Sequence, residues 1–186
     1  MSSERKVVAI VGMPGAGKST AANFFRSKGA SILRFGDQVD IGIKENNLER
    51  NEKNERWYRE KLRSELGMIA MAVKIEPRIR DAQKTSSFIV LDGLYSWEEY
   101  TYLQEKISDI QLLCIYARPA LRYLRLSRRP VRPLTAKEAR ERDIAELEKL
   151  NKGGPIAIAD YLIINDTNEE YFLKALERYF RSIQTE

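Results

Sequence analysis

The stretch VVAIVGMPGAGKSTAANFF, residues Val7–Phe25, joins an apolar run to a helix-like run through three glycines, one lysine and a hydroxyl pair. Gly12, Gly17, Lys18 and Ser19 fit the pattern G-x-x-x-x-G-K-[ST], between a predicted strand and a predicted helix. In such a loop the backbone N–H groups curl around phosphate oxygens, and the N-terminus of the following helix adds partial positive charge. The stretch therefore predicts a phosphate-binding loop, or P-loop, for a nucleotide.

Two side chains of this loop have specific expected roles. Lys18 is expected to reach the β- and γ-phosphates of ATP, and the Ser19 hydroxyl to ligate Mg²⁺. ATP and Mg²⁺ are therefore the predicted cofactors. The alternative is a strand-to-helix turn that uses glycine for its shape alone. The loop residues expected to contact the nucleotide are Gly12, Pro14, Gly15, Ala16, Gly17, Lys18, Ser19 and Thr20.

The composition indicates one domain with a modest positive charge. With 186 residues, of which 43% are hydrophobic, the chain can bury one sizeable core, so we expect a single domain over residues 1–186. The net charge of +5 comes from 32 basic and 27 acidic residues and suits an anionic ligand. Cys114, the single cysteine, cannot form an internal disulfide and is interpreted as a small hydrophobe in a buried strand.

The same composition argues against several classes of protein. The N-terminal run MSSERKVV lacks the apolar core of a signal peptide, and the apolar runs fall short of the roughly 20 residues that cross a bilayer. We therefore expect a soluble, cytoplasmic protein without a membrane partner. The chain has no histidine, which excludes histidine base catalysis and argues against the usual zinc sites.

Short β-branched runs alternate with amphipathic stretches, which predicts an α/β fold with a parallel sheet between helices. The run TAKE at Thr135–Glu138 has the form of a capping box, so a helix is expected to begin there. The predicted strands are Lys6–Val11, Ser31–Arg34, Phe88–Leu91, Gln111–Tyr116 and Tyr161–Ile164. The predicted helical segments are Lys18–Ser27, a charged region of about 48–84, Ser96–Lys106, Pro119–Ser127, Thr135–Leu150 and Asn168–Ile183.

One part of the charged region is dense in charge along its whole length. In NEKNERWYREKLRSEL, residues 51–66, the apolar side chains Trp57, Leu62 and Leu66 recur at near-helical spacing. We interpret this segment as a helix whose charged face lies in solvent.

Polar or charged residues follow every predicted strand, at the edge where doubly wound sheets bind their ligands. Taken singly, Asp37 could cap the next helix and Asp92-Gly93 could form a turn. Taken together, the five strand ends predict the rim of an active site. Beyond the P-loop, the rim candidates are Gly36, Asp37, Asp40, Asp92, Gly93, Arg118, Asn165, Asp166 and Thr167.

Two of these carboxylates could divide the chemistry. Asp92 follows an apolar strand and is similar to the Walker B aspartate that holds Mg²⁺ through water. Asp37 could orient or deprotonate an acceptor hydroxyl. Which carboxylate has which role is open at this stage.

Arginines are concentrated after the fourth strand. Arg125 and Arg129 are predicted to contact the transferring phosphoryl group from a mobile lid at about residues 125–135, which Pro130 and Pro133 keep from being helical. The alternative is a basic helix face in water, which is the favoured interpretation for Arg122. The other arginines of this region are Arg118, Arg128, Arg132, Arg140 and Arg142.

The order AIVGMPGAGKST, FGD, VLDG, ARPALRYLRLSRR and AIADYLIIND resembles the nucleoside monophosphate kinase superfamily of P-loop proteins over nearly the whole chain. It looks closest to dephospho-CoA kinase and to adenylate-kinase-related archaeal kinases. The resemblance implies a five-stranded parallel sheet of order 2-3-1-4-5 and an acceptor-binding region at about 37–84. It also implies that the adenine of ATP lies near Arg125, Arg129 and Asn165.

The predicted function is an ATP- and Mg²⁺-dependent phosphotransferase acting on a small nucleotide-like acceptor, of the nucleoside monophosphate or dephospho-CoA type. The segment LDGLYSWEEY, residues 91–100, departs from dephospho-CoA kinases and leaves the acceptor open. The main alternative is a nucleotide-binding regulator or sensor with little turnover. A GTPase is disfavoured because NKGG, residues 151–154, lacks the aspartate of NKxD. No nucleic-acid partner is expected, and the protein is expected to be a monomer or small homo-oligomer.

Overall fold

The centre of the molecule is a sheet of five parallel strands in the order β2-β3-β1-β4-β5. A computed structural model describes residues 6–185. The predicted α/β class and the predicted strand order are confirmed. The strands are β1 Lys6–Val11, β2 Ser31–Arg34, β3 Phe88–Asp92, β4 Ile110–Tyr116 and β5 Tyr161–Ile164.

Helices cover both faces of this sheet. A 3-10 turn, Gly67–Ile69, lies between α3 and α4. Within the described residues, no helix is both long enough and apolar enough to span a bilayer. The helices are α1 Lys18–Ser27, α2 Asp37–Glu45, α3 Glu52–Leu66, α4 Ala70–Thr85, α5 Trp97–Lys106, α6 Pro119–Ser127, α7 Ala136–Leu150, α8 Gly153–Ala157 and α9 Glu169–Thr185.

The central strand β1 is a continuous apolar run because both of its faces are buried. Its residues alternate between two cores, with Val7 and Ala9 on one face and Val8 and Ile10 on the other. The first core includes side chains of α2–α5, and the second includes side chains of α1 and α9. A strand buried on both faces needs apolar residues at every position, so the period-2 alternation of a half-exposed strand is absent.

The charged region of about 48–84 is two helices and not one. Gly67, with φ of 69°, ends α3 in a backbone conformation that favours glycine. On α3, Tyr58 and Leu62 are buried, whereas Trp57 is 42% exposed. The chain turns sharply here, so the helices α3 and α4 pack together beside the sheet.

Two helices lie outside the predicted segments. The first, α2, contains Gly42, where any side chain would overlap the ring of Tyr58 from α3. A glycine inside a nine-residue helix weakens the helical pattern in sequence, and only the close approach of α3 explains it. The second, α8, is five residues long and too short for a periodic signal.

The predicted capping box at the start of α7 is confirmed. The Thr135 hydroxyl accepts a hydrogen bond from the Glu138 backbone N–H at 3.3 Å, and the Glu138 carboxylate accepts one from the Thr135 N–H at 2.7 Å. Residues 128–135 between α6 and α7 contain no helix, as Pro130 and Pro133 predict. The start of α7 is therefore determined locally.

Candidate active site

The P-loop lies between β1 and α1, at the carboxyl edge of the sheet. Gly12, Gly15 and Gly17 have φ values of 137°, 80° and 109°, which residues other than glycine rarely adopt. A side chain at Gly12 would also overlap the Ile115 carbonyl, and a Cβ at Gly15 would lie 2.7 Å from the Arg122 carbonyl oxygen. The glycines are therefore required both by the backbone shape and by close packing against β4 and α6.

Two side chains from distant parts of the chain donate hydrogen bonds to backbone carbonyls of the P-loop. The Asn165 amide, at the end of β5, donates to the Ala16 carbonyl at 2.8 Å. Arg125 donates to the Asn165 carbonyl at 2.9 Å and to the Gly15 carbonyl at 3.4 Å. Two residues predicted near adenine, Asn165 and Arg125, thus support the loop and each other, and their contact with adenine stays a prediction.

Arg122 differs from its interpretation as a basic face in water, because it is only 4% exposed. It donates to both carboxylate oxygens of Asp143 on α7, at 2.9 and 2.6 Å. It also donates to the Pro14 carbonyl at 3.0 Å and to the Ala117 carbonyl at 3.0 Å. Because α7 packs over this face of α6, Arg122 is a buried tie between the P-loop and α7.

A cleft of about 420 Å³ opens over the P-loop, and we call it the nucleotide cleft. Most of the predicted site residues line it, but Arg34, Tyr95, Arg142, Glu146 and Lys152 were not among the predicted site residues. No local motif marks these five, since they come from four separate segments. The lining residues are Pro14, Gly15, Gly17, Lys18, Ser19, Thr20, Arg34, Asp92, Tyr95, Arg125, Arg129, Arg142, Glu146 and Lys152.

Lys18 is folded back over the loop that carries it. Its Nζ donates to the Gly12 carbonyl at 2.8 Å and to the Met13 carbonyl at 3.2 Å. Burial, together with the charge of Lys152, lowers the pKa of Lys18 to about 7. Phosphate oxygens would stabilise the charged form of Lys18, so binding of an anion is expected to raise its pKa.

The two predicted carboxylates lie close together at the carboxyl edge of the sheet, but only Asp92 lines the nucleotide cleft. Burial raises the pKa of Asp92, and the Arg34 guanidinium lies 3.8 Å from its Oδ2. Asp37 begins α2 and pairs with Arg34 at 3.8 Å and Arg78 at 3.4 Å. Asp37 lines neither the nucleotide cleft nor a second cleft that lies beside it.

A second cleft, of about 430 Å³, lies beside the first, and we call it the acceptor cleft after the acceptor that the family resemblance implies. The charged face of α3, expected to lie in solvent, contributes Glu55, Arg59 and Arg63 to it. The other lining residues come from β2, α2, α4, α5 and α7 and from the loops before α2, α3 and α5. The lining residues are Arg34, Phe35, Gly36, Val39, Asp40, Arg50, Glu55, Arg59, Arg63, Met71, Tyr95, Glu99, Arg142, Glu146 and Leu150.

Charge in the acceptor cleft is partly compensated. Arg50 pairs with Asp40 at 3.1 Å and with Glu55 at 3.5 Å, and Arg59 pairs with Glu55 at 3.6 Å. The Glu99 carboxylate is buried and accepts hydrogen bonds from the backbone N–H groups at the start of α5. Burial raises the pKa of Glu99 to about 7.

The two clefts share four side chains, namely Arg34, Tyr95, Arg142 and Glu146. We call this set the junction. A group bound at the end of one cleft would therefore face a group bound at the end of the other. Arg129, of the predicted lid, lies on the nucleotide side and Arg128 does not.

Known proteins are similar to this chain over most of its length. A family model described as "AAA domain" matches residues 8–146. A UPF0200 protein of Pyrococcus abyssi is 29% identical over 181 residues, covering 95% of this chain and 96% of its own length. A UPF0200 protein of Hyperthermus butylicus is 32% identical over 170 residues, covering 90% and 89%.

Solved structures share the fold at low sequence identity. TT1252 from Thermus thermophilus matches with a TM-score of 0.63 and 18% identity, covering 96% of this chain and 98% of that one. Shikimate kinase from Bacteroides thetaiotaomicron matches with a TM-score of 0.61 and 14% identity, covering 97% and 99%. The predicted resemblance to nucleotide-kinase-like P-loop proteins is confirmed, and the chain belongs both to the family described as "AAA domain" and to the UPF0200 proteins.

Proposed function

We propose that the protein is an ATP- and Mg²⁺-dependent phosphotransferase that moves the γ-phosphoryl group of ATP to a small nucleotide-like acceptor. The observation that carries the proposal is the junction, where a cleft built on the P-loop meets a second cleft rich in arginine. A protein that only binds ATP needs the first cleft, whereas a transferase needs both.

On the nucleotide side, the P-loop and Lys18 would hold the phosphates. Ser19 and Asp92 are oxygen donors in the same cleft, which suits Mg²⁺, a hard cation that binds few protein ligands and retains water. Within the described residues there is no cluster of three or more acidic, cysteine or histidine side chains for a metal. Mg²⁺ would therefore depend on phosphate oxygens as well, and when bound it would neutralise their charge.

On the acceptor side, the cleft combines guanidinium groups with an apolar patch. Arg59 and Arg63 lie four residues apart on α3, so they share one helix face. Phe35, Val39 and Met71 supply apolar surface in the same cleft. A phosphate bound by arginines and a flat base against the apolar patch would fit this arrangement, which supports a nucleotide-like acceptor.

At the junction, the acceptor oxygen would attack the γ-phosphorus as the bond to the β,γ-bridging oxygen breaks, and ADP would leave with that electron pair. Arg34, Arg142 and the lid residue Arg129 would stabilise the charge on the phosphoryl oxygens. For a hydroxyl acceptor, Asp37 is the proposed proton acceptor: it does not line either cleft, but its carboxylate lies 3.8 Å from Arg34 of the junction and is therefore beside the site of transfer.

The test is to incubate the protein with labelled ATP and Mg²⁺ against separate acceptors. The panel comprises nucleoside monophosphates, dephospho-CoA, and also shikimate and gluconate, because a shikimate kinase and a gluconokinase share the fold. Transfer to a nucleotide-like acceptor is the expected result. Tight ATP binding without transfer to any acceptor would instead favour the nucleotide-binding regulator.

A further inference from the structure

Lys152 is a buried lysine that neither the P-loop motif nor the lid accounts for. Its side chain is 2% exposed, yet it lines the nucleotide cleft. It follows Asn151, which ends α7 in the left-handed conformation with φ of 47°. The turn between α7 and α8 therefore inserts the lysine into the molecule, where burial lowers its pKa.

The Lys152 ammonium is held from two sides. It donates to Oε2 of Glu146, and its Nζ lies 4.6 Å from the centroid of the Tyr95 ring. Both contacts favour a cation. An ammonium group carries three N–H donors, and within residues 6–185 these two contacts leave one donor without a partner.

The charge of this cluster is not balanced by Glu146 alone. Oε1 of the same carboxylate accepts a hydrogen bond from Arg142 Nε at 3.0 Å, so two cations share one anion. Although burial acts to raise it, these cations hold the pKa of Glu146 below its usual range. Lys18 also feels the Lys152 charge, which helps to lower its pKa. The cluster therefore has an excess positive charge facing the cleft.

The position of Lys152 within the nucleotide cleft determines which phosphate of a bound nucleotide it could contact. Its two partners, Glu146 and Tyr95, belong to the junction, whereas Lys152 itself lines only the nucleotide cleft. It thus lies at the end of the nucleotide cleft that faces the acceptor. Asp143 lies three residues before Glu146 on α7. Its bidentate bridge to Arg122, which also donates to the Pro14 carbonyl, fixes this helix to the P-loop.

We propose that Lys152 is a second phosphate-binding lysine, placed by Glu146 and Tyr95 to contact the terminal phosphate of ATP. The inference rests on the proposed function, because it assumes that ATP occupies the nucleotide cleft. Lys18 would bind the β,γ-phosphates from the loop, and Lys152 would bind the terminal phosphate from the α7–α8 turn. A lysine already ordered by burial loses little side-chain entropy on binding.

The experiment compares binding of an ATP analogue that cannot be hydrolysed, AMP-PNP, with binding of ADP, both with Mg²⁺, by calorimetry. Lys152→Met leaves Glu146 paired with Arg142 alone, and Glu146→Gln removes the carboxylate that Lys152 contacts, so either single variant is expected to lose some stability. The informative pair is therefore Glu146→Gln and the double variant Glu146→Gln with Lys152→Met. These two proteins differ only at position 152, and both lack the Glu146 carboxylate that contacts Lys152.

Glu146→Gln is expected to bind AMP-PNP more tightly than the wild type, because the buried Lys152 ammonium loses its carboxylate and a phosphate can take that place. The double variant is expected to bind AMP-PNP roughly 10- to 100-fold more weakly than Glu146→Gln, the loss for one charge-assisted hydrogen bond. Its ADP affinity is expected to stay within about threefold, and its thermal unfolding is expected to remain cooperative.

Equal AMP-PNP affinity in the two variants would overturn the proposal and leave Lys152 as a counter-charge for Glu146. Equal losses for AMP-PNP and ADP would also overturn it, since Lys152 would then not be at the terminal phosphate. A wild-type protein that binds neither nucleotide would refute the proposed function itself, and the inference with it.

Discussion

The P-loop and the acceptor cleft show two ways of building a binding site. The P-loop takes the groups predicted to bind phosphate from one short stretch, Gly12–Thr20, and its glycines are required by backbone shape. The acceptor cleft takes its side chains from β2, from α2, α3, α4, α5 and α7, and from the loops before α2, α3 and α5, and no local motif predicts it. One site is therefore visible in the sequence as a pattern, whereas the other exists only once the helices have packed.

The largest effect is expected at the P-loop. Lys18→Ala should lower turnover by about 10³-fold or more, because it removes the cation that holds the β,γ-phosphates. Binding of ATP and ADP should both weaken, measured by calorimetry without any acceptor. Circular dichroism should show an unchanged fold, since Lys18 bonds only to carbonyls of its own loop. Normal nucleotide affinity in this variant would contradict the role of the loop.

The next effect concerns the arginine segment 125–135, which is proposed to act as a lid over the nucleotide cleft that Arg125 and Arg129 line. Arg129→Ala should reduce turnover by up to about 10³-fold if Arg129 acts as an arginine finger, with a smaller effect on ATP affinity. Arg128→Ala is the matched control, because Arg128 is an exposed neighbour outside the nucleotide cleft. Hydrogen exchange over residues 125–135, with and without ATP and acceptor, should show protection on binding. Unchanged exchange would mean that the segment is a static basic surface and not a lid.

A smaller and more selective effect is expected in the acceptor cleft. Arg63→Ala should raise the KM for the acceptor by roughly 10- to 100-fold, because one charge-assisted contact to the acceptor's anionic group is lost. The KM for ATP should not change. The control is Arg56→Ala on the same helix, where Arg56 is exposed and pairs with Glu60 at 2.8 Å. If both variants behave alike, the second cleft does not bind the acceptor.

The smallest effect is a pH dependence that belongs to the P-loop alone. The Lys18 pKa of about 7 means that Lys18 is charged below this pH and neutral above it in the free protein. Because phosphates bind the charged form, ATP affinity should fall up to about tenfold between pH 7.5 and 8.5. Calorimetry in buffers of different ionisation enthalpy should then detect proton uptake on binding.

This measurement needs no acceptor, which keeps it separate from Glu99 of the acceptor cleft, whose pKa is also about 7. The other charged groups beside Lys18 are Lys152, Glu146, Asp92 and Arg142. Lys18→Ala should abolish the proton uptake. Uptake that persists in this variant would assign the titration to another of these groups.

The parts of the fold that sequence reasoning predicted are those with local causes. The bounds of β1, β2 and β5 agree with the prediction, since short apolar runs between turns mark strands. Burial on both faces, which the apolar runs also predicted, holds for β1 but not for the edge strand β5, where Leu162 and Ile164 are exposed. The start of α7 was predicted from its capping box. The helix α2 was missed because Gly42 obscures it, and that glycine is explained only by the Tyr58 ring of another helix.

The same distinction holds for the candidate site. Lys18, Ser19 and Asp92 were predicted from motif and strand position, and all three line the nucleotide cleft. Arg122 was misinterpreted because its partner, Asp143, lies 21 residues further along the chain. A buried arginine and an exposed one are alike in a sequence, since burial depends on the carboxylate that tertiary packing brings to it.

The sequence by itself determined the P-loop and the parallel sheet, because glycine conformation, strand burial and helix capping act over a few residues. Tertiary structure decided the rest. It brought Arg59 and Arg63 of α3 to the acceptor cleft, and it placed Lys152, Glu146 and Tyr95 in one cluster beside the P-loop. Charges attract and desolvate according to distance in space, so their partners are unknown until the chain has folded.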